Sequence, residues 1–336
     1  MRPLRAFACV VALAAAAPQA RAATPCDDGL ALADTDALHG AAAIELCDVS
    51  NGESAGVAAA AYRAGDLATP LDQVTNGLIG VGVFDGFGTN VAPRRGARML
   101  ALATGTARAP GDPGYASNFS KGYTSTPPPG FPADVPGCPT ASNLYDAAAL
   151  VLELVAPDWA QSFSFDFRYY SRDYPEWVCT SYEDQFVVLT VPPRDGSIGG
   201  NVVFDAAAQP MTVNAAFMTV CEGCPDGYAD LVGTGFESEG ATPWLRTQVP
   251  VAPGEAFSLR FAVWDVGDAV NDTTVLLDDF RWSSAPVAGP VTLVAPEPGS
   301  LRIGGASLAA LATLALRRTR CSARARTLHP QGESIR

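Results

Sequence analysis

Within residues 162–170 of this chain, aromatic and polar residues alternate from Ser162 to Tyr169. The aromatic positions are Phe163, Phe165, Phe167 and Tyr169, and the polar positions are Ser162, Ser164, Asp166 and Arg168. Alternation with a period of two places one set of side chains on each face of a β-strand. Residues 257–263 repeat the pattern. Both segments are therefore predicted to be half-buried strands that cover an apolar core.

Short apolar runs separated by Gly, Pro, Asp and Asn extend this prediction to most of the chain. The further strand candidates are residues 78–84, 97–104, 148–155, 185–191, 201–205 and 274–282. Helical periodicity is confined to residues 29–47 and 57–64. The pattern predicts an all-β fold, namely a β-sandwich of jelly-roll type with a short N-terminal helical segment.

Residues 108–143 interrupt the strand pattern with a stretch rich in Pro, Gly and Ser. Such long segments are usually functional loops or linkers. Because strands are predicted on both sides and Cys138 can tether the segment, we interpret it as an ordered surface loop. It then belongs to one composite body, residues 23–295. A linker between an N-terminal lobe and the sandwich is the alternative.

The first 22 residues have the three parts of a secretory signal peptide. Arg2 and Arg5 form a basic region, residues 7–17 form an apolar region, and Ala20-Arg21-Ala22 form an A-x-A cleavage motif. We therefore expect cleavage between Ala22 and Ala23 and export of the protein.

The C-terminal end carries a second expected processing signal. Pro296-Glu297-Pro298 precedes an apolar run at 303–316, and a cluster of arginines follows at 317–320. Residues 296–320 thereby resemble the PEP-CTERM sorting tail of exported bacterial surface proteins, which implies cleavage by an exosortase-type processing enzyme. Arg302 interrupts the pattern, and a basic tail, residues 321–336, extends beyond it. A frayed amphipathic tail is the alternative; in either case, membrane contact is expected only through the terminal segments.

Acidic residues outnumber basic residues by 35 to 22, which gives a net charge of −13. Without its two ends the chain is more acidic still, because residues 23–295 carry 33 acids and 12 bases, a net charge of −21. Phosphate binding requires a cationic surface, so nucleic acid is excluded as a partner. Cations such as Ca²⁺ would relieve the self-repulsion of this body. The alternative is that acidity only keeps an exported protein soluble.

The body contains an even number of cysteines, as expected of a disulfide-bonded exported protein. They are Cys26, Cys47, Cys138, Cys179, Cys221 and Cys224. Proximity favours the pairs in that order, although the sequence alone does not fix the pairing. Cys221-Glu222-Gly223-Cys224 also has the spacing of a redox motif or of half a zinc site. A structural disulfide is favoured because a second metal-binding pair is missing from the sequence.

Three blocks of the sequence resemble the choice-of-anchor L type of bacterial extracellular domain. The central block contains Ser171, Asp173, Tyr174, Pro175, Glu176, Asp184 and Phe186. The upstream block, residues 80–107, ends in Leu102-Ala103-Thr104-Gly105, where the family usually has Leu-Ser-Thr-Gly. The downstream block, residues 261–282, is similar to the closing strands of exported jelly-roll modules. The resemblance implies a cell-surface or extracellular location and a sandwich fold, and it implies no reaction.

Acidic residues cluster on two of the predicted connections between strands. Hard oxygen ligands on loops are typical of Ca²⁺ sites. The candidate calcium ligands are Asp173, Glu176, Asp184, Asp265, Asp268 and Asp278. Within the strand at 274–282, Asp278 is predicted to share a face with Leu276, Phe280 and Trp282. An acid there requires a cation, several hydrogen-bond donors or an ion pair with Arg260 or Arg281.

The sequence favours binding over catalysis. It contains only two histidines, His39 and His329, and no G-x-S-x-G, H-E-x-x-H or P-loop motif. We therefore expect a non-enzymatic protein that binds a glycan, matrix or surface protein through loop aromatics. These aromatics are Tyr115, Phe119, Tyr123, Tyr174, Trp177, Tyr182 and Trp244. A secreted hydrolase that uses paired carboxylates and a purely structural envelope protein are the alternatives.

Overall fold

The computed structural model describes residues 26–46, 56–139 and 141–298, and these form two packed antiparallel sheets with one short helix. The strands are β1 (Gly56–Arg63), β2 (Val81–Phe84), β3 (Met99–Ala103), β4 (Thr124–Ser125), β5 (Leu144–Val155), β6 (Ser162–Ser171), β7 (Gln185–Val191), β8 (Gly240–Ala241), β9 (Leu245–Pro250), β10 (Ala256–Val266), β11 (Thr273–Ser283) and β12 (Val291–Val294). The prediction of an all-β sandwich is confirmed.

The helix α1 (Ala37–Ala43) starts and stops at recognisable signals. The side chain of Asp36 accepts a hydrogen bond from the Leu38 amide at 2.8 Å and caps the first turn. The helix ends just before Glu45, which has a φ of 70°. Short 3-10 turns lie at Leu71–Gln73, Gly77–Gly80 and Ala229–Leu231.

The first sheet has the order β1-β5-β10-β7, and the short β4 extends the β1 edge of β5. The second sheet has the order β12-β9-β6-β11-β3-β2, and β8 pairs with the end of β6. The strand β12 runs antiparallel to β9, from Val291 opposite Gln248 to Val294 opposite Leu245. It forms the edge from which the chain leaves the body.

The two sheets meet in a core of aromatic rings. Phe163 of β6 stacks on Phe257 of β10 with 5.4 Å between ring centroids. Phe165 packs edge-on against Phe261 at 5.1 Å. These four rings are at most 3% exposed, so the alternating positions of β6 and β10 supply the contact between the sheets, as their periodicity predicts.

The polar face of β6 is also buried, contrary to the prediction of a half-buried strand. Every residue of β6 is buried, including Asp166 at 0% and Arg168 at 2% exposure. The segments around Arg94 and Asp230 cover this face and pair with its charges. The burial of this face could not be predicted from the periodicity of β6, because the segments that cover it are distant in the sequence.

Two secondary-structure predictions are wrong, and the strand predicted at 78–84 is correct only for Val81–Phe84, because Gly77–Gly80 form a 3-10 turn. Residues 57–64 contain four consecutive alanines, which favour a helix, but they belong to the strand β1. Pairing with β5 overrides the propensity of this segment. Residues 201–205 form isolated bridges rather than a strand, because Asn201 and Phe204 pair only singly with Leu189 and Pro210.

Disulfides join Cys138 to Cys179 and Cys221 to Cys224, the pairs favoured by proximity. Cys26 is also disulfide-bonded, while its expected partner Cys47 lies outside the described residues. The expected signal peptide with its Ala22–Ala23 cleavage site, and the tail beyond residue 298, lie outside them too. No helix in the described ranges has the length and hydrophobicity required to span a bilayer.

Candidate functional site

Polar residues from six strands meet at one end of the sandwich. The strands β3, β6 and β10 end there, and their antiparallel neighbours β11, β5 and β7 begin there. We call this group of charged residues the strand-end cluster: Asp146, Asp173, Asp184, Asp265, Asp272 and Lys121. None of the six is more than 8% exposed, so the cluster lies inside the protein.

Hydroxyl groups connect the cluster across the two sheets. The Thr273 hydroxyl donates to Asp184 Oδ2 at 2.6 Å and lies 3.0 Å from the Ser171 hydroxyl. The amide of Thr273 donates to the Thr104 hydroxyl at 2.9 Å, and the amide of Asp173 donates to Ser171 Oγ at 3.1 Å. One continuous network thereby joins the ends of β3 and β6 to the beginnings of β7 and β11.

Burial disfavours the ionised form of three carboxyl groups of the cluster. Burial raises the pKa of Asp184 and of Asp265 well above the usual range. Burial and the nearby Asp184 raise the pKa of Asp173 to about 9. The adjacent Asp265 adds to the rise in the pKa of Asp184. Asp173 Oδ2 and Asp265 Oδ1 have no hydrogen-bond partner among the described residues.

Lys121 is the only lysine in the chain, and it is completely buried in this cluster. Its Nζ donates to the carbonyl of Ala103 in β3 at 2.8 Å and to that of Ala147 in β5 at 3.0 Å. Burial lowers its pKa to about 8, while the cluster carboxylates act in the opposite direction. Because β3 and β5 belong to different sheets, the ammonium group joins both sheets to the segment that carries Lys121.

Two aspartates fasten the same segment through its backbone and a hydroxyl. Asp146 accepts hydrogen bonds from the Ser120 hydroxyl at 2.6 Å and from the Tyr123 amide at 3.1 Å. Asp272 accepts one from the Phe119 amide at 3.0 Å. The Pro/Gly/Ser-rich segment at 108–143 is therefore tied into the end of the sandwich as an ordered loop.

The packing around Gly105 explains why the motif Leu102-Ala103-Thr104-Gly105 ends in glycine. A Cβ at this position would overlap the carboxylate of Asp272. Glycine thus permits the close approach of the β10–β11 connection to the end of β3. Together with Thr104, Ser171, Asp173 and Asp184, it shows that the resemblance motifs converge on the strand-end cluster.

The structure brings together only some of the candidate calcium ligands. Asp173, Asp184 and Asp265 lie in the strand-end cluster, and Asp268 lies in the adjoining β10–β11 connection, close enough to raise the pKa of Asp173. Glu176 is exposed, and its negative charge helps to raise the pKa of Glu239. No group of three or more His, Cys, Asp or Glu side chains in the described ranges is placed to hold a metal ion as it stands.

Asp278 belongs to a different group, which we call the arginine cluster: Arg94, Asp166, Arg246, Asp278 and Asp279. Asp278 accepts hydrogen bonds from the amides of Arg94 at 2.5 Å, Arg95 at 3.3 Å and Asp279 at 2.5 Å. Several donors therefore satisfy it, which was one of the alternatives expected from sequence. Burial raises its pKa well above the usual range.

The predicted face of Asp278 is wrong in part. The pairing of β11 with β6 shifts register between Asp278 and Arg281, and Asp279 has a φ of 50°. This bulge turns Phe280 into the inter-sheet core, whereas Leu276 packs on the opposite face of the sheet. Asp278 therefore shares the face of Leu276 and not that of Phe280.

Arg246, which sequence reasoning missed, is the main ion-pair partner of Asp166 and Asp279. It donates to both oxygens of Asp166 at 2.6 and 2.9 Å and to Asp279 at 2.6 Å. Arg281 also donates to Asp279 at 2.6 Å, whereas Arg260 donates to the Ser258 hydroxyl. Sequence reasoning overlooked Lys121 and Asp146 as well; the single lysine of an acidic chain was the available signal.

The aromatic residues expected on loops are less accessible than others that the sequence did not single out. Trp244 is 9% exposed, and the other six are half-buried. Trp159 and Tyr228 are 57% and 54% exposed. Trp159 lies in the β5–β6 connection, at the end of the sandwich opposite the strand-end cluster.

A shallow depression of about 170 Å³ lies beside the strand-end cluster. Its lining residues are Pro132, Ala133, Ala141, Glu183, Gln185 and Val266. The depression encloses no separate space for a small molecule, whose sites usually occupy roughly 300–1,000 Å³.

Residues 57–280 match the family model of the choice-of-anchor L domain. The match includes every residue of both clusters, and it includes all three sequence blocks except Arg281 and Trp282 at the end of the downstream block. No curated protein matches the chain.

Proposed function

Because the chain belongs to the choice-of-anchor L family, and is therefore a cell-surface or extracellular protein, we propose that it is a non-enzymatic binding module of the bacterial surface. Its partner in this proposal is an extracellular glycan, a matrix component or a surface protein. The exported chain is held at the surface, or released from it, through its C-terminal segment.

The burial of the strand-end cluster is the observation that carries the proposal. A glycosidase must bring two carboxyl groups to opposite sides of a substrate bond. Asp173, Asp184 and Asp265 are each 2% exposed, and the Asp184 carboxylate accepts hydrogen bonds from Thr273 and Val266 on neighbouring strands. These motif residues thus support a scaffold role, and they leave recognition to the exposed loops.

Trp159 supports a binding surface at the opposite end of the sandwich. Its ring is 57% exposed in the connection between β5 and β6. A large aromatic side chain held in water by a short connection offers a flat apolar face on which a sugar ring can stack. Asp158, beside it in the sequence, supplies an acceptor for sugar hydroxyl groups.

The expected terminal signals support export and surface attachment. A signal peptide that is cleaved after Ala22 directs export of the chain. A tail of the PEP-CTERM type is recognised by an exosortase-type enzyme. The even number of body cysteines and the disulfides of the described residues are in keeping with an oxidising compartment.

A glycan and matrix-protein array probed with the exported protein tests the proposal. We expect binding without turnover, and Trp159→Ala should weaken it by at least about tenfold. Tyr228→Ala is the matched control, because it removes an equally exposed aromatic ring from the connection between β7 and β8. Release of reducing sugar would support the hydrolase, and absence of both binding and turnover would support a structural envelope protein. Either result contradicts the proposal.

A further inference from the structure

The segment Pro296-Glu297-Pro298 is held against the body, although it follows the last strand. After β12, the amide of Ala295 donates to the Trp244 carbonyl at 2.8 Å and continues the pairing of β12 with β9. Arg94 then contacts the next two residues. It donates through a terminal nitrogen to the Pro296 carbonyl, and its other terminal nitrogen lies 3.6 Å from the Glu297 carboxylate.

Arg94 is itself fixed in position by the arginine cluster. Its Nε lies 3.3 Å from Asp166 Oδ2, and its guanidinium group lies 5.8 Å from the centre of the Trp244 ring. Its side chain is only 5% exposed. The charge of Asp166 and the aromatic ring hold the guanidinium plane, so the donors that face Pro296 and Glu297 are preorganised.

The segment itself is stiff. Proline fixes its own φ and restricts the preceding residue to extended conformations, and both Ala295 and Glu297 precede a proline. A stiff peptide loses little conformational entropy on docking, so one backbone contact and one charge pair hold several residues.

We propose that Arg94 is a docking residue that fixes the Pro296–Pro298 segment on the edge of the second sheet and displays it to a processing partner. The contact to the Pro296 carbonyl holds the backbone, while the Glu297 side chain remains 84% exposed. A partner that reads this segment then meets a preordered acidic side chain between two prolines, and it requires a cationic pocket to bind it. The docking by Arg94 is independent of the surface role proposed above; only the identity of the processing partner rests on it.

The position of the segment defines where such a partner works. Six residues lead from Glu297 to Ile303, where the apolar run begins, and they span at most about 20 Å. A membrane-inserted apolar run would therefore hold the displayed segment within that distance of the lipid. A partner at the membrane would therefore meet the displayed segment with the body beside it.

Hydrogen exchange of the full chain tests the docking directly. Arg94→Ala should accelerate exchange of the Ala295 amide, which donates to the Trp244 carbonyl, by roughly tenfold, with little change in β6 and β10. Arg281→Ala is the matched control, because it removes an arginine that donates to Asp279 at 2.6 Å and leaves the tail contacts in place. Arg94→Lys provides a second variant that keeps the charge beside Asp166 but loses the planar fork.

The outcomes separate docking from processing. Faster exchange confined to the segment in Arg94→Ala or Arg94→Lys, but not in Arg281→Ala, supports the docking. Unchanged exchange in both Arg94 variants, or equal acceleration in all three, overturns it. In an exporting host, the fraction of chain with a processed C-terminus should fall in the Arg94 variants; a rise would overturn display. If the unaltered chain is never processed, the sorting role fails while the exchange result still decides the docking.

Discussion

The ammonium group of Lys121 lies between the two sheets, where it donates hydrogen bonds to backbone carbonyls of both. Its two acceptors, the carbonyls of Ala103 and Ala147, lie on β3 and β5 and are buried. Its charge also offsets that of Asp146, Asp265 and Asp272. Removal of the group leaves both carbonyls without this donor and several acids without their nearest cation.

Lys121→Met should therefore lower the free energy of unfolding by about 3 kcal/mol, measured by urea denaturation at pH 7. Arg260→Met is the control, since Arg260 is partly exposed and donates to a single neighbouring hydroxyl. It should cost less than about 1 kcal/mol. Equal losses in the two variants would contradict a special role for the buried ammonium.

Sequence reasoning at the scale of residues found half of the strand-end cluster. Asp173, Asp184 and Asp265 were predictable because acids cluster on two of the predicted connections between strands. Lys121 and Asp146 were not predictable, because they are 25 positions apart in the sequence. The Lys121 amide reaches the Asp146 carboxylate only when the loop folds back onto β5. The bulge at Asp279 was equally hidden, since one extra residue reverses the faces of a strand without changing its composition.

Among the elements, the long loop at 108–143 changes most between sequence and structure. It lacks a periodic pattern, yet its middle is fixed by Asp146, Asp272 and Lys121, and its end by the Cys138–Cys179 disulfide. The strands β6 and β10 were predictable from alternation. The edge strands β1 and β12 were not, because their pairing with neighbours decides their conformation.

The single lysine makes the closure of this loop measurable. An amine-reactive reagent should modify the N-terminal amine of the native exported protein but not Lys121, because Lys121 is 0% exposed. In urea, Lys121 should react within minutes. Mass spectrometry of the peptide that contains Lys121 reports the modified fraction. Modification of native protein at the rate seen in urea would show that the loop opens freely.

For the molecule as a whole, buried carboxyl groups set the direction of the pH dependence. Burial raises the pKa of Asp173 to about 9, of Glu183 to about 7 and of Asp272 to about 6. Between about pH 4 and pH 9 these three groups therefore bind more protons in the folded chain than in the unfolded chain. The stability that these groups contribute is fully present below about pH 4 and is lost as the pH rises towards about 9.

In EDTA, the melting temperature should accordingly fall by at least about 5 °C between pH 5 and pH 9. The calcium hypothesis adds a second expectation, since a cation would replace the protons of Asp173, Asp184 and Asp265. Calcium should raise the melting temperature at pH 8 more than at pH 5, and magnesium at equal ionic strength should do less. Identical melting at pH 8 in calcium and in EDTA would contradict calcium binding.

The direction of β12 has a mechanical consequence for a surface protein. Its chain runs from the Trp159 end of the sandwich towards the strand-end cluster, antiparallel to β9. A pull between a ligand at Trp159 and a tether beyond Pro298 would act along the strand axis, while the hydrogen bonds of the ladder lie across it. Such a load shears all the bonds of β12 together instead of peeling them one at a time, so the edge strand resists force as a unit.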